Sequence, residues 1–239
     1  MDFIYDTDRL KALAEDGKVA YRQATPFPHR VIDGFLRPEA ARALADAIPA
    51  ADSGMAWDRY AAQGFEMKLA SSREDQLPET VCRALHELNA GPMLRFLEAL
   101  TGIGHLLPDP HLLGGGVHLV GPGGHLGVHA DFNWHPGLQA HRRINLLLYL
   151  NDDWNTDWGG DLELWSTDAA RREKAIAPLF NRAVIFNTRS DTFHGHPSPL
   201  ATPESVWRRS IAMYYYTSQR PEEELREPHN TRYKGMHLP

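Results

Sequence analysis

From about residue 107 onward the chain is written in short apolar runs separated by turn residues. GGGVHLV, HLGVHADF, RINLLLYLN, GDLELWS, RAVIFNT and RRSIAMYYYT are β-rich, and clusters of Gly, Pro, Asn and Asp stand between them. Such runs at such spacing predict the strands of a sandwich or barrel. Before Leu106 the period is different. Leu94, Leu97 and Leu100 fall at helical spacing in a helix predicted from Pro92 to Leu100, with Gly102 as its stop. Pro78–Asn89 reads as another helix, and Pro38 suits the first turn of one running to about Ile48. Residues 8–16 predict a short helix, and Phe27–Leu36 a first strand. The segment holding Trp57, Tyr60 and Lys68 is expected to be irregular, as a lid would be. The predicted class is α+β, with supporting helices first and an antiparallel jelly-roll core at about 107–220. No repeat or low-complexity linker divides the chain, so residues 1–239 are expected to form one domain. The polar tail from Pro221 to Pro239 lacks any period and is expected to be extended or to pack late on the surface.

Composition changes this picture little. Of 239 residues 42% are apolar, ordinary for a chain with a real core. No apolar stretch approaches the ~18–20 residues of a membrane span. The opening segment, MDFIYDTDRLKALAEDGK, lacks the apolar run of a secretory signal. One cysteine, Cys82, excludes an intrachain disulfide and fits a reducing compartment, so the expected location is cytoplasmic. Cys82 stands among Val81, Leu85 and Leu88, as a buried helix cysteine would. A net charge of −6 gives no electrostatic footprint for nucleic acid. The expected partner is a small-molecule or peptide substrate, with no nucleic acid and no membrane; oligomeric state leaves no trace in the sequence. Thirteen histidines are many for this length, and their positions carry the chemistry.

In His129-Ala130-Asp131 the imidazole and the carboxylate share one face of a strand. They make two-thirds of the 2-His-1-carboxylate triad that non-haem Fe(II) oxygenases use, a triad that leaves coordination positions open. The third ligand must come from a distant strand. RAVIFNTRSDTFHGHP supplies an apolar strand, a polar turn, then His194 and His196; His194 is favoured, and His196, just before Pro197, would then shape the loop. A dicarboxylate co-substrate beside such a metal calls for a planar, bidentate cation. Alternation along Arg208–Tyr214 puts Arg208, Ser210 and Ala212 on one face, and Arg209, Ile211 and Met213 on the other. The polar, small face suits a pocket wall, which favours Arg208 over Arg209 as the carboxylate clamp. The same test on Ile144–Leu150 groups Asn145, Leu147 and Tyr149 against an apolar face of Ile144, Leu146, Leu148 and Leu150. Tyr149 is placed to share the carboxylate with Arg208, and Asn145 to bond co-substrate oxygens. Trp134 and His135 follow the first two ligands closely, and His118 sits on the preceding strand; these three are the candidate substrate contacts.

With these residues in hand, the chain resembles the 2-oxoglutarate/Fe(II)-dependent dioxygenases, in particular the prolyl-4-hydroxylase-like superfamily. The resemblance runs from roughly Phe27 to Thr217 and is densest from Gly114 onward. PFPHRVIDGFL, GGGVHLV, HADFNWH, RRINLLLYLNDDW, GGDLEL, FNTRSDTFHGHP and RRSIAMYYYT carry it. It implies a double-stranded β-helix with His129, Asp131 and His194 on iron. It implies Arg208 on the distal carboxylate of 2-oxoglutarate, Ser210 completing an Arg-x-Ser pair, and Tyr149 assisting. Fe(II), 2-oxoglutarate and O2 would be the cofactors, ascorbate a supporting reductant, and succinate and CO2 the released products. The presence of Asp131 favours hydroxylation over halogenation, since related halogenases replace that carboxylate with a small residue. One departure is the inserted PSPLATPESVW between the second histidine and the arginines, which keeps both arginines in play. The competing reading is a non-catalytic metal- and 2-oxoglutarate-binding sensor on the same fold.

Overall fold

The computed structural model describes residues 2–62 and 64–235. Its helices are α1 (Thr7–Gln23), α2 (Pro38–Ala47), α3 (Glu79–Leu88) and α4 (Gly91–Thr101). Asp6 caps α1 by accepting from the amides of Asp8 and Arg9, Pro38 opens α2, and Gly102 closes α4 in the left-handed conformation. The helix expected to stop at residue 16 runs on to Gln23. Gly17 looks like a stop signal, yet it lies on the buried stripe of Leu10, Ala14 and Tyr21. A Cβ there would lie 2.8 Å from the Arg30 guanidinium, so the glycine serves close packing within the helix.

The strands are β1 (His29–Asp33), β2 (Asp58–Ala62), β3 (Glu66–Ser71), β4 (Gly116–Val120), β5 (His125–Ala130), β6 (Trp134–His135), β7 (Ala140–Tyr149), β8 (Leu162–Trp165), β9 (Arg172–Ile176), β10 (Arg182–Asn187), β11 (His194–His196), β12 (Arg208–Thr217) and β13 (Arg232–Tyr233). They pair antiparallel in the order β1-β10-β7-β12-β4-β3-β5-β11-β8-β9. β2 adds to β3, β6 to β7 and β13 to β5. This curled sheet is a double-stranded β-helix. The outward side chains of its larger half, Ile144, Leu146, Leu148, Ile211, Met213 and Tyr215, join one core with Leu44, Leu85, Leu97 and Phe96 from the helices. Each such burial stabilises the fold by about 1.5–3 kcal/mol. The helices therefore buttress one face, and the other face is left to line a cavity.

Two segments depart from expectation. The stretch around Tyr60 and Lys68 is a hairpin, β2–β3, because its alternation is inverted: Met67 faces out, while Glu66 and Lys68 face the cavity. The tail after Pro221 is more than surface coil. It turns back, and β13 pairs with β5 in a register that sets Tyr233 opposite His129.

Candidate functional site

The cavity between the two halves of the β-helix has a volume of about 310 Å³, and His129, Asp131, His194, Arg208, Tyr149, Ser210, Asn145 and His118 all line it. β5 and β11 run antiparallel with His129 directly opposite His194, and their ring centroids are 4.4 Å apart. Each ring is turned by its own backbone. His129 Nδ1 lies 2.7 Å from the Gly127 carbonyl oxygen, and His194 Nδ1 lies 3.3 Å from that of Thr192. A carbonyl can only accept, so Nδ1 carries a proton, and Nε2 is the ring atom left for a metal. Both Nε2 atoms point at Asp131, at 3.4 Å from Oδ1 for His129 and 3.5 Å from Oδ2 for His194. One ligand atom from each residue lies within 4.8 Å of the other two. Two imidazole nitrogens and one carboxylate oxygen converging on a point fit a divalent ion such as Fe(II), with the cavity side left open.

Asp131, just past the end of β5, is held by its neighbours. Asn145 Nδ2 donates to Oδ2 at 2.8 Å, and Arg142 Nη2 lies 3.0 Å from the same oxygen. Asn145 Oδ1 in turn accepts from Arg142 Nε and Nη2. The guanidinium is fully buried between two rings, 3.4 Å from the Tyr214 centroid and 4.4 Å from that of Phe132. Burial by itself would raise the Asp131 pKa. Arg142, then the two histidines, overcome this and hold the carboxyl well below the usual range. Burial pushes His194 down to about 4 against the pull of Asp131, so the ring is neutral at physiological pH. Asn145, expected among the co-substrate contacts, has its amide engaged by Asp131 and Arg142.

Arg142 is the main residue that sequence reasoning missed. Continuing the alternation of Asn145, Leu147 and Tyr149 backward selects Arg143 for the cavity. A register shift opposite Tyr215 and Tyr216 intervenes, so Arg142 turns inward and Arg143 outward to Thr217. No sequence signal announces that bulge. Phe132, Tyr214, Tyr60, Glu66, Lys68, Thr231 and Tyr233 complete much of the wall.

Deeper along β12, buried Arg208 donates from Nε to the Gly160 carbonyl at 2.8 Å and from Nη2 to the Tyr149 hydroxyl at 3.3 Å. Burial raises the Tyr149 pKa despite Arg208, so the phenol keeps its proton. Arg209 lies on the opposite face, bonded to the Ala45 carbonyl of α2. The structure thus separates the two arginines as alternation predicted. His196, expected in a loop, belongs to β11; it is buried and lines the cavity without reaching the Asp131 cluster.

Trp134 and His135 do not reach the cavity. β6 pairs with the outer end of β7 and carries both side chains away. Trp134 stands edge-on to His141 at 4.8 Å, and His135 accepts from the Leu138 amide and packs against Tyr216. Their closeness in sequence to the ligands is undone by the turn after Asp131.

β11 approaches β5 so tightly that a Cβ on Gly195 would sit 2.7 Å from the carbonyl oxygens of both Leu126 and Gly127. Gly195→Ala is therefore expected to push β11 off β5 and spread His129 from His194. We expect Fe(II) affinity to fall at least tenfold, measured by metal titration, and stability to drop by about 1–3 kcal/mol. Unchanged metal affinity in this variant would argue against the two histidines sharing one ion.

Residues 115–216 match the 2OG-Fe(II) oxygenase superfamily. Prolyl 3-hydroxylase OGFOD1 of Mus musculus is 35% identical over 79 residues, which are 31% of this chain and 14% of that protein. Among solved structures, the Trichoplax adhaerens prolyl hydroxylase in complex with a hypoxia inducible factor peptide fragment superposes with a TM-score of 0.58. The superposition covers 87% of this chain and 91% of that one at 17% identity. The epimerase SnoN, in complex with Fe3+ and alpha ketoglutarate, gives 0.56 over 93% and 95% of the two chains at 13% identity. No described helix is long and apolar enough to cross a membrane. The matched segment spans β5, β7, β11 and β12, the strands that build the cavity, so the similarity to the 2OG-Fe(II) oxygenase superfamily falls on the candidate site itself.

Proposed function

We propose that this chain hydroxylates an unactivated C–H bond, turning 2-oxoglutarate, O2 and R–H into succinate, CO2 and R–OH. The observation that carries the reading is the meeting of His129, Asp131 and His194 in the same cavity as the Arg208–Tyr149 pair. The first three residues would hold Fe(II), whose contribution is to couple decarboxylation of the co-substrate to oxidation of the C–H bond. Arg208 would take the distal carboxylate with the Tyr149 hydroxyl beside it, and Ser210 lies on the same face of β12 toward the same group. The protein's remaining tasks are orientation and exclusion of water. Asn145 and Arg142 fix the Asp131 carboxylate, Phe132 and Tyr233 wall the cavity near the metal ligands, and Leu147 and Leu162 keep part of its lining apolar. Because Asp131 fills the carboxylate place in the triad, hydroxylation is favoured over halogen transfer. The prolyl hydroxylases among the relatives support an amino acid or peptide residue as the acceptor.

Fe(II)-loaded protein supplied with 2-oxoglutarate under 18O2 is expected to form succinate carrying one 18O atom. With an accepted substrate, the product should gain one 18O atom and no halogen, at any chloride concentration. Binding of 2-oxoglutarate and metal with no succinate formed would return the sensor reading instead.

A further inference from the structure

One charged pair in the cavity lies outside the residues assigned above to iron and 2-oxoglutarate. Glu66 and Lys68 stand two residues apart on β3, so they share a face, and that face is the cavity wall. Lys68 Nζ lies 3.4 Å from Glu66 Oε2, and the side chains are only 14% and 12% exposed. That separation is longer than the ~2.7–2.9 Å of a tight charge-assisted bond. Lys68 Nζ is also 4.9 Å from the centre of the Tyr60 ring across the hairpin, and Tyr233 stands beside Glu66. An ammonium has three N–H groups to place, and a carboxylate about four acceptor sites. Tyr233 and the Tyr60 ring take up part of that capacity, and both members of the pair still line the cavity. A nearly dry ion pair seldom stabilises a fold enough to offset its desolvation, so a structural role alone explains it poorly. His196 lines the same cavity, is 4% exposed, and its Nδ1 has no hydrogen-bond partner.

Charge narrows the ligand. Arg208, Arg142 and Lys68 face two carboxylates, Glu66 and Asp131, in this wall. Fe(II) and doubly charged 2-oxoglutarate would cancel one another, which leaves one positive charge in excess. A purely cationic amine is therefore disfavoured. A group with a carboxylate for Lys68 and an ammonium for Glu66 matches both members of the pair. We infer that the substrate is a free α-amino acid, held by its ammonium at Glu66 and its carboxylate at Lys68, with its side chain directed toward the iron ligands. This assignment rests on the oxygenase reading above and specifies its substrate; an internal residue of a peptide, which has neither charge, would not satisfy the pair.

The test is calorimetry on the protein loaded anaerobically with Fe(II) and 2-oxoglutarate. Free L-amino acids are titrated in turn, each against its N-acetyl and its carboxamide form. At least one free amino acid should bind, and blocking either end should weaken it about 10–100-fold, the effect of losing one charged hydrogen bond. Lys68→Met and Glu66→Gln should each weaken that amino acid at least tenfold while moving 2-oxoglutarate affinity less than twofold. Lys68→Arg, which keeps the charge, should retain binding within about tenfold and guards against a variant that merely misfolds. Capped forms binding as well as the free amino acid would overturn the inference, and so would Lys68→Met losing 2-oxoglutarate instead. Failure of 2-oxoglutarate to bind in the loading step would overturn the oxygenase reading itself. Its binding with no response to any amino acid would overturn the substrate assignment alone.

Discussion

Asp131→Ala is expected to abolish 2-oxoglutarate turnover and also to destabilise the fold by about 3–5 kcal/mol, the usual cost of breaking a buried ion pair from one side. The two losses have different origins. Turnover fails because one of three converging ligand atoms is gone. Stability falls because Arg142 is left charged between the rings of Phe132 and Tyr214, with the neutral Asn145 oxygen still receiving its N–H groups but no carboxylate to balance its charge. The double variant Asp131→Ala/Arg142→Met separates them. Removing the orphaned charge should recover most of the stability, read from chemical denaturation, and none of the turnover, read from succinate formation. Turnover that survived Asp131→Ala would remove the carboxylate from the metal site. An unchanged unfolding midpoint in that variant would show that Arg142 is not its partner in solution.

Arg208→Ala is expected to raise the Kd for 2-oxoglutarate about 100-fold or more. Truncating one member of a buried charged pair costs about 2–5 kcal/mol, and each 1.4 kcal/mol is a factor of about ten. Arg209→Ala should change that Kd less than about threefold, since its guanidinium is on the helix side, bonded to the Ala45 carbonyl. Tyr149→Phe should fall between the two, because it removes one neutral hydroxyl and leaves the cation in place. Calorimetric titration of the three variants gives the order directly. A larger effect from Arg209 than from Arg208 would mean that β12 presents its other face to the co-substrate.

What could be read from the sequence was whatever obeys a simple period. The inward set of Asn145, Leu147 and Tyr149, and the split between Arg208 and Arg209, follow from two-residue alternation on long paired strands. His129 and Asp131 are visible because they stand two residues apart at the end of one strand, and His194 because an apolar strand leads into it. Alternation fails where geometry breaks it. The register shift between β7 and β12 exchanges Arg142 for Arg143, and no residue type marks the place. The turn after Asp131 withdraws Trp134 and His135, though they lie only three and four residues beyond a ligand. The β2–β3 hairpin escaped notice because its inner face is polar, as a cavity demands and an apolar core does not. Glu66, Lys68 and Tyr233 belong to the wall through pairings that span large distances in sequence, which no local pattern encodes.

The return of the chain to β5 has a practical bearing on handling. Tyr233 packs its ring 5.4 Å from that of His129, and the Lys234 amide donates to the Val128 carbonyl. An affinity handle or fluorescent fusion joined beyond Gly235 would hang from the very ribbon that abuts a metal-coordinating imidazole. One placed ahead of α1 would be anchored instead on the helical layer, behind the sheet. Metal content and reaction rate compared between the two fusions would show how far a pull on the last strand is felt at the iron.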